Sequence, residues 1–288
     1  MLRVYLALLA QTLISAGTYL FAKRVMAELG PAELAFLRFL GAGLLFALLL
    51  AATGRKLLPP KQAAGHAVLL GFIALPVNQG LFLAGLSLST ASHAAILYAL
   101  TPAMVLVGAR LFLGERITPT RAVGVIVAFV GVTVVLLERG LAQETGPLVG
   151  DLLILGAVVA WAAYSILARP LTRRYGAVTF TGWAMMAGAA MALPLGPIRA
   201  EELARVTDLS AMSWLGIAYL IAITSVVSYL LWSYALKRLE AARVAVFTNL
   251  QPVATALLSW LVLGERIGTT AAAGGLLVIL GVTVSQRR

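Results

Sequence analysis

Apolar residues run through this chain for about twenty positions at a time, and the breaks between runs are short and rich in Gly, Pro and charge. A run of that length crosses the hydrocarbon core of a bilayer as a helix, because only a helix satisfies its own backbone there. The pattern predicts ten spans, at roughly 4–22, 32–53, 65–86, 90–111, 120–137, 151–169, 177–195, 213–235, 241–262 and 268–285. Turn chemistry supplies the breaks: ELGPAE (28–33), GRKLLPPKQ (54–62), RPLTRRYG (169–176) and the long polar stretch GPIRAEELARVTDLS (196–210), expected to be an amphipathic surface loop. Segments such as LLFALLLAA (44–52) and VGVIVAFVGVTVVLL (123–137) do not alternate, so they are not strands of an outer-membrane barrel. Arg3 followed by an apolar run resembles a signal peptide, but the run ends in TYLFAKR, without a small-residue cleavage site. It reads as the first span.

Composition agrees. The chain is 61% hydrophobic and 11% charged, where a soluble domain carries about 25% charged residues. The expected fold class is an all-α polytopic membrane protein. No cysteine is present, which excludes disulfides and thiolate metal sites. A net charge of +11 can signal nucleic acid, but here it follows the topology. Fifteen of the 22 Lys and Arg fall on the side that holds both termini, six on the other, and Arg38 lies within a span. The positive-inside rule then puts both termini in the cytoplasm of a multi-pass protein of the cell inner membrane. The expected partners are a small-molecule substrate and the lipid bilayer, with no nucleic acid. The chain is expected to act as a monomer or homodimer, without cofactor or metal.

The pentapeptide LGERI occurs at 113–117 and again at 263–267, an offset of 150. At that offset TPAMVLVGARLFLGERITPTRAVGVIVAFVGVTV (101–134) lies over QPVATALLSWLVLGERIGTTAAAGGLLVILGVTV (251–284), and 79–95 lies over 229–245. Nearer the front the offset is 145, pairing GTYLFAKR (17–24) with AAYSILAR (162–169). The chain therefore reads as two five-span units, residues 1–145 and 146–288. Five is odd, so the second unit enters the membrane from the opposite side and the units are inverted repeats. Secondary transporters recur in this architecture, which offers two conformations of similar energy. A duplicated scaffold for a membrane enzyme is the alternative.

These features resemble a known family. The paired P…LGE motifs in LTPAMVLVGARLFLGERIT (100–118) and LQPVATALLSWLVLGERIG (250–268), with AFLRFLGAGLL (35–45), are similar to EamA-type members of the drug/metabolite transporter superfamily. The resemblance implies ten helices, cytoplasmic termini, a central cavity and export of small metabolites, among them aromatic or other amino acids. Export of cationic drugs or lipid-like compounds is the alternative, and an intramembrane lipid-modifying enzyme a further one. No P-loop is present, so this chain does not drive transport with ATP.

The bilayer midplane lies about ten residues into each span. Polar groups there face a cavity or another helix. Span 1 offers Gln11, Thr12 and Ser15; span 3 offers Pro76, Asn78, Gln79 and, nearby, Phe82; span 4 offers Tyr98, Thr101 and Pro102. Span 6 offers Trp161, Tyr164 and Ser165; span 8 offers Thr224, Ser225, Ser228, Tyr229 and Trp232; span 9 offers Thr248, Asn249, Gln251 and Pro252. Of these, Gln11, Ser15, Asn78, Gln79, Phe82, Tyr98, Thr101, Trp161, Tyr164, Ser228, Tyr229, Trp232, Asn249 and Gln251 are the candidate substrate-binding residues. Each Ser or Thr has a plainer role open to it, a bond to its own or a neighbouring helix. The aromatic residues could stack on substrate or merely pack. Tyr5, Trp214 and Trp260 read as interfacial anchors.

Pro102 and Pro252 are repeat equivalents and candidate hinges; Glu115 and Glu265, in the repeated pentapeptide, are candidate gating contacts. Spans 5 and 10 carry almost no polar side chain and are expected at the periphery or facing a second copy. Arg38 costs about 3 kcal/mol to hold inside a span. It either attracts a substrate carboxylate or pairs with carbonyls, and its repeat counterpart is Trp183. No mid-span carboxylate is expected. That argues for a facilitator or exchanger over a proton antiporter built on a carboxylate.

Overall fold

The computed structural model describes residues 2–113, 118–141, 145–193, 206–264 and 268–285. Among them every regular element is helical. The helices are α1 (Leu2–Val25), α2 (Pro31–Ala52), α3 (Lys61–Leu88), α4 (Ala91–Phe112), α5 (Pro119–Leu141), α6 (Thr145–Tyr175), α7 (Ala177–Ala192), α8 (Ala211–Leu236), α9 (Ala241–Val262) and α10 (Thr269–Ser285). Seven helices are long and apolar enough to cross a membrane; the apolar stretches Pro119–Val135, Ala177–Ala192 and Thr269–Val284 are shorter. Each predicted span falls on a helix. The largest difference is α6, which begins at Thr145, where the sequence pattern suggested 151. The repeated pentapeptide beyond Leu113 and Gly264, with Glu115 and Glu265, lies outside the described residues, as does most of the polar stretch 196–210.

Local chemistry sets the helix ends. Pro31 stands in the first turn of α2, where its missing N–H is no loss. Thr90 and Ser210 cap α4 and α8, accepting from the backbone N–H of His93 and Ser213. Gly264 closes α9 in the left-handed region, φ 67°.

The packing is paired. α1 lies against α8 and α9, and α6 against α3 and α4; α2 touches α7 and α8, and α3 touches α7. α5 and α10 pack chiefly on each other. At their crossing a Cβ added to Gly131 would stand 2.6 Å from the Gly274 carbonyl, and one on Gly281 2.6 Å from the Gly124 carbonyl. Gly124 and Gly274 are repeat equivalents, as are Gly131 and Gly281. Helices in lipid gain no hydrophobic drive to associate, so such close backbone contact is what holds them. The outward faces of both helices expose large apolar side chains, Ile126, Phe129, Leu276 and Leu280 among them.

Candidate functional site

Four of the six helices with polar mid-sections have irregular backbone; α1 and α6 run as unbroken α-helices. α3 winds as a π-helix over Ile73–Gln79, around Pro76, and α8 does so over Tyr219–Ser228. The two stretches overlap at the repeat offset. π-turns recur at functional sites because they turn side chains off the regular helical face. α4 breaks after Tyr98 and resumes at Thr101; α9 passes through a 3-10 turn at Val246–Leu250 and resumes at Gln251. Pro102 and Pro252 thus sit in the first turn of a second helical segment, not in mid-helix as their position in the spans suggested. A proline there removes no bond the segment would have made. The carbonyl of Tyr98, which the ring of Pro102 leaves without its helical donor, accepts from Thr101 Oγ1 at 2.6 Å.

Between these elements lies a cavity of about 50 Å3, lined by Gln11, Ser15, Thr18, Tyr19, Arg38, Gln79, Phe82, Tyr98, Trp161, Thr224, Ser228, Tyr229 and Gln251. That volume holds a few water molecules. Its polar wall is a linked network. Gln11 Nε2 donates to Ser15 Oγ (2.9 Å) and Ser228 Oγ (3.3 Å), and Tyr19 OH donates to Gln251 Oε1 (3.2 Å). Thr18 and Thr224 share a hydroxyl bond of 2.9 Å. Arg38 is buried, and its Nε donates to Ser225 Oγ at 2.9 Å. Ser225 in turn donates to the Leu220 carbonyl within the π-turn. Three wall atoms have no hydrogen-bond partner among the described residues: Arg38 Nη1, Gln11 Oε1 and Gln79 Oε1. A buried orphan costs about 1–3 kcal/mol, more when charged, so each of these atoms is open to a bound group or an ordered water.

Aromatic rings close the cavity in two groups. Tyr19, Phe82 and Tyr98 stand edge to face, with centroids 5.4 to 6.2 Å apart. Trp161 stacks on Tyr164 at 5.5 Å and meets Tyr229 at 5.3 Å and Trp232 at 5.1 Å. Tyr19 and Tyr164 are repeat equivalents, as are Phe82 and Trp232. Beyond the second group a larger vestibule of about 700 Å3 opens between α3, α6 and the α8–α9 corner, bordered by His66, Arg169, Arg173, Arg174 and Glu240. Along α6, Trp161 faces the cavity and Ile166 the vestibule. The separation is about 7.5 Å of helix.

Of the candidates read from the sequence, Gln11, Ser15, Gln79, Phe82, Tyr98, Trp161, Ser228, Tyr229, Gln251 and Arg38 reach this wall. The others stand behind it, for physical reasons. Asn78 spends its amide on Tyr98 OH (3.0 Å) and the Ala157 carbonyl (2.7 Å), and accepts from Gln79 Nε2. Thr101 caps Tyr98. Trp232 is fully buried and donates to Ser165 Oγ at 3.2 Å. Tyr164 is buried behind Trp161, and Asn249 lies on the 3-10 turn off the wall. Sequence reasoning missed Thr18 and Tyr19. Tyr19 was recoverable, since the 145 offset aligns it with Tyr164. Thr18 carries no such signal. Tyr5, Trp214 and Trp260 are exposed on the outer surface of the bundle.

Comparison with known proteins agrees with this architecture. The EamA-like transporter family matches residues 2–137 and again residues 148–286. The chain belongs to that family. It is 28% identical to the uncharacterized transporter YyaM of Bacillus subtilis, over 99% of this chain and 94% of the relative. It is 32% identical to an uncharacterized transporter of Archaeoglobus fulgidus over 90% of each. A probable terminal-alkyne amino-acid exporter of Streptantibioticus cattleyicolor is 31% identical over 69% of this chain and 65% of its own length. A solved crystal structure superposes with a TM-score of 0.64 at 21% identity, covering 99% of this chain and 96% of the other, and shares the fold.

Proposed function

We propose that this protein is a secondary transporter that exports small zwitterionic metabolites, amino acids with planar or apolar side chains foremost, across the inner membrane by alternating access. Ten spanning helices form two inverted five-helix repeats, residues 1–145 and 146–288, with both termini cytoplasmic. The double family match and the paired packing of α1 with α8 and α6 with α3 support the repeat. The basic vestibule supports the orientation.

The observation that carries the substrate class is the set of orphaned atoms. Arg38 Nη1 offers a charged donor to a carboxylate, and the Gln11 and Gln79 oxygens offer acceptors to an ammonium group. Trp161, Tyr229 and the Tyr19–Phe82–Tyr98 group give a side chain flat apolar surfaces. No acidic side chain lines the cavity among the described residues, which disfavours a cationic drug. In this reading the cavity, with room for only about 50 Å3, is in a contracted state, and the Trp161–Tyr164–Trp232 layer is the gate on the vestibule side.

Proteoliposomes loaded with labelled L-phenylalanine test this. The protein should speed its exchange above protein-free vesicles, and amino acids should compete better than nucleosides, sugars or quaternary amines. Exchange no faster than in protein-free vesicles, or exchange indifferent to Trp161→Ala and Gln251→Leu alike, sinks the proposal.

A further inference from the structure

At the end of the bundle opposite the vestibule, α1, α3, α4 and α6 bury an ionisable cluster that the cavity does not use. Asp151, in the second turn of α6, is fully buried. Its Oδ2 lies 3.1 Å from His93 Nδ1 on α4, and its Oδ1 accepts from Ser89 Oγ at the α3–α4 corner. Lys23 of α1 faces the same corner, its Nζ donating to the carbonyls of Leu86 (3.1 Å) and Ser89. The placement is built in. Thr90 caps α4 by accepting from the His93 N–H at 3.2 Å, which fixes His93 in the first turn. A Cβ on Gly150 would stand 2.8 Å from the Gly85 carbonyl, so α3 and α6 touch backbone to backbone one residue before Asp151.

A carboxylate inside a membrane bundle is expensive and marks an ion or proton pathway by default. Joined to an imidazole, it makes a pair that can hold a proton between its two members. We infer that the His93–Asp151 pair is the binding site for a coupling proton, so that one proton enters as one zwitterion leaves. The inference rests on the transporter proposal above. In the protonated pair an imidazolium faces a carboxylate; on release the proton leaves the pair for the bulk as this end of the bundle opens, and a neutral imidazole keeps its bond to Asp151. Lys23 stands beside both states. The pair joins α4 of the first repeat to α6 of the second. The short segment Ala91–Tyr98 carries His93 at one end and Tyr98 of the cavity wall at the other, and α6 carries Trp161. Opening this end of the bundle parts the pair, so its proton affinity differs between the two conformations. That difference is what couples proton and substrate.

The experiment uses reconstituted full-length protein with the membrane potential clamped at zero. Vesicles with a lumen one pH unit more acid than the medium should accumulate labelled L-phenylalanine about tenfold at steady state, for one proton per substrate. In Asp151→Asn and His93→Gln the steady-state ratio should fall to about one. Wild-type vesicles that exchange phenylalanine yet accumulate none, or variants that accumulate it as wild type does, overturn the coupling. Vesicles that move no phenylalanine fail the substrate proposal instead, and a second readout then decides the proton site. The chain has two histidines, so 15N-imidazole labelling with His66→Gln assigns the His93 signal. Its charge state should change as the pH of the medium is stepped, and Asp151→Asn should displace that change. A His93 signal that stays constant throughout, or is indifferent to Asp151→Asn, overturns the inference.

Discussion

The central cavity and the α5–α10 seam are two solutions to the same problem of holding helices together in lipid. At the seam the helices are continuous, the contact is glycine against backbone, and almost no polar side chain takes part. Around the cavity the backbone is repeatedly irregular, in two π-turns, one broken helix and one 3-10 turn. Side-chain hydroxyls bond the backbone there, as Thr101 does at Tyr98 and Ser225 at Leu220. Non-helical backbone at membrane depth survives only where protein or a wet cavity satisfies it. The seam therefore joins its two helices by close backbone packing, while around the cavity side chains take part in bonding the backbone.

If that division is right, mutations should separate transport from stability. The largest effect is expected from Arg38→Met, which removes the cavity's charged donor while keeping an unbranched side chain. A lost contact to a buried charge is worth about 2–5 kcal/mol, so kcat/KM for phenylalanine exchange should fall thirtyfold or more with little change in Tm. A marked loss of Tm with exchange intact would mean that Arg38 is a structural tie. Gly274→Val tests the other side. Its Cβ would stand 2.8 Å from the Gly131 carbonyl, and such overpacking costs about 1–3 kcal/mol. Tm should drop by several degrees while the KM of surviving protein stays near wild type; the same substitution at Gly65, with open space around its Cβ, is the control.

A smaller effect is expected at the two prolines. Pro102→Ala restores an N–H that competes with Thr101 for the Tyr98 carbonyl. Pro252→Ala has no such hydroxyl to displace, since Thr248 Oγ1 bonds Ala245. Exchange rates should change by a factor of a few for Pro102→Ala and less for Pro252→Ala; equal effects would show that the two breaks work alike.

The smallest effect lies at the surface. The Ser210 backbone N–H and hydroxyl, then Ser213 and Arg24, hold the exposed Glu28 carboxyl below its ordinary value. Its stabilisation is complete above the ordinary carboxylate range and is lost as pH falls through the lowered value. Glu28→Gln should therefore lower Tm slightly at pH 7, and the difference from wild type should close as pH falls through the lowered value. A difference that persists there would assign the effect to packing.

The legible and illegible parts divide along physical lines. Periodicity of apolar runs reports where a chain can cross lipid, and every predicted span fell on a helix. The repeat offset reports equivalence of place, and would have added Tyr19 through Tyr164. It does not report equivalence of use. Arg38 carries the cavity's charge, while its counterpart Trp183 ties α7 to the α2–α3 corner through the Lys56 carbonyl at 2.8 Å. Asp151 escaped notice because the pattern started α6 at that residue, and a charge at a span's edge is unremarkable. Six residues of helix ahead of it make the same carboxylate a buried one.

By itself the sequence determined a helical membrane protein, the places of its apolar helices and its family, because burial in lipid constrains composition over whole segments. Only the tertiary structure decided which mid-span polar groups meet. Asn78 and Gln79 are neighbours of the same chemical type, yet one is consumed by the Ala157 carbonyl and the other keeps an oxygen free at the cavity. That choice depends on which helix faces them across the bundle, and on a π-turn that no local pattern announces.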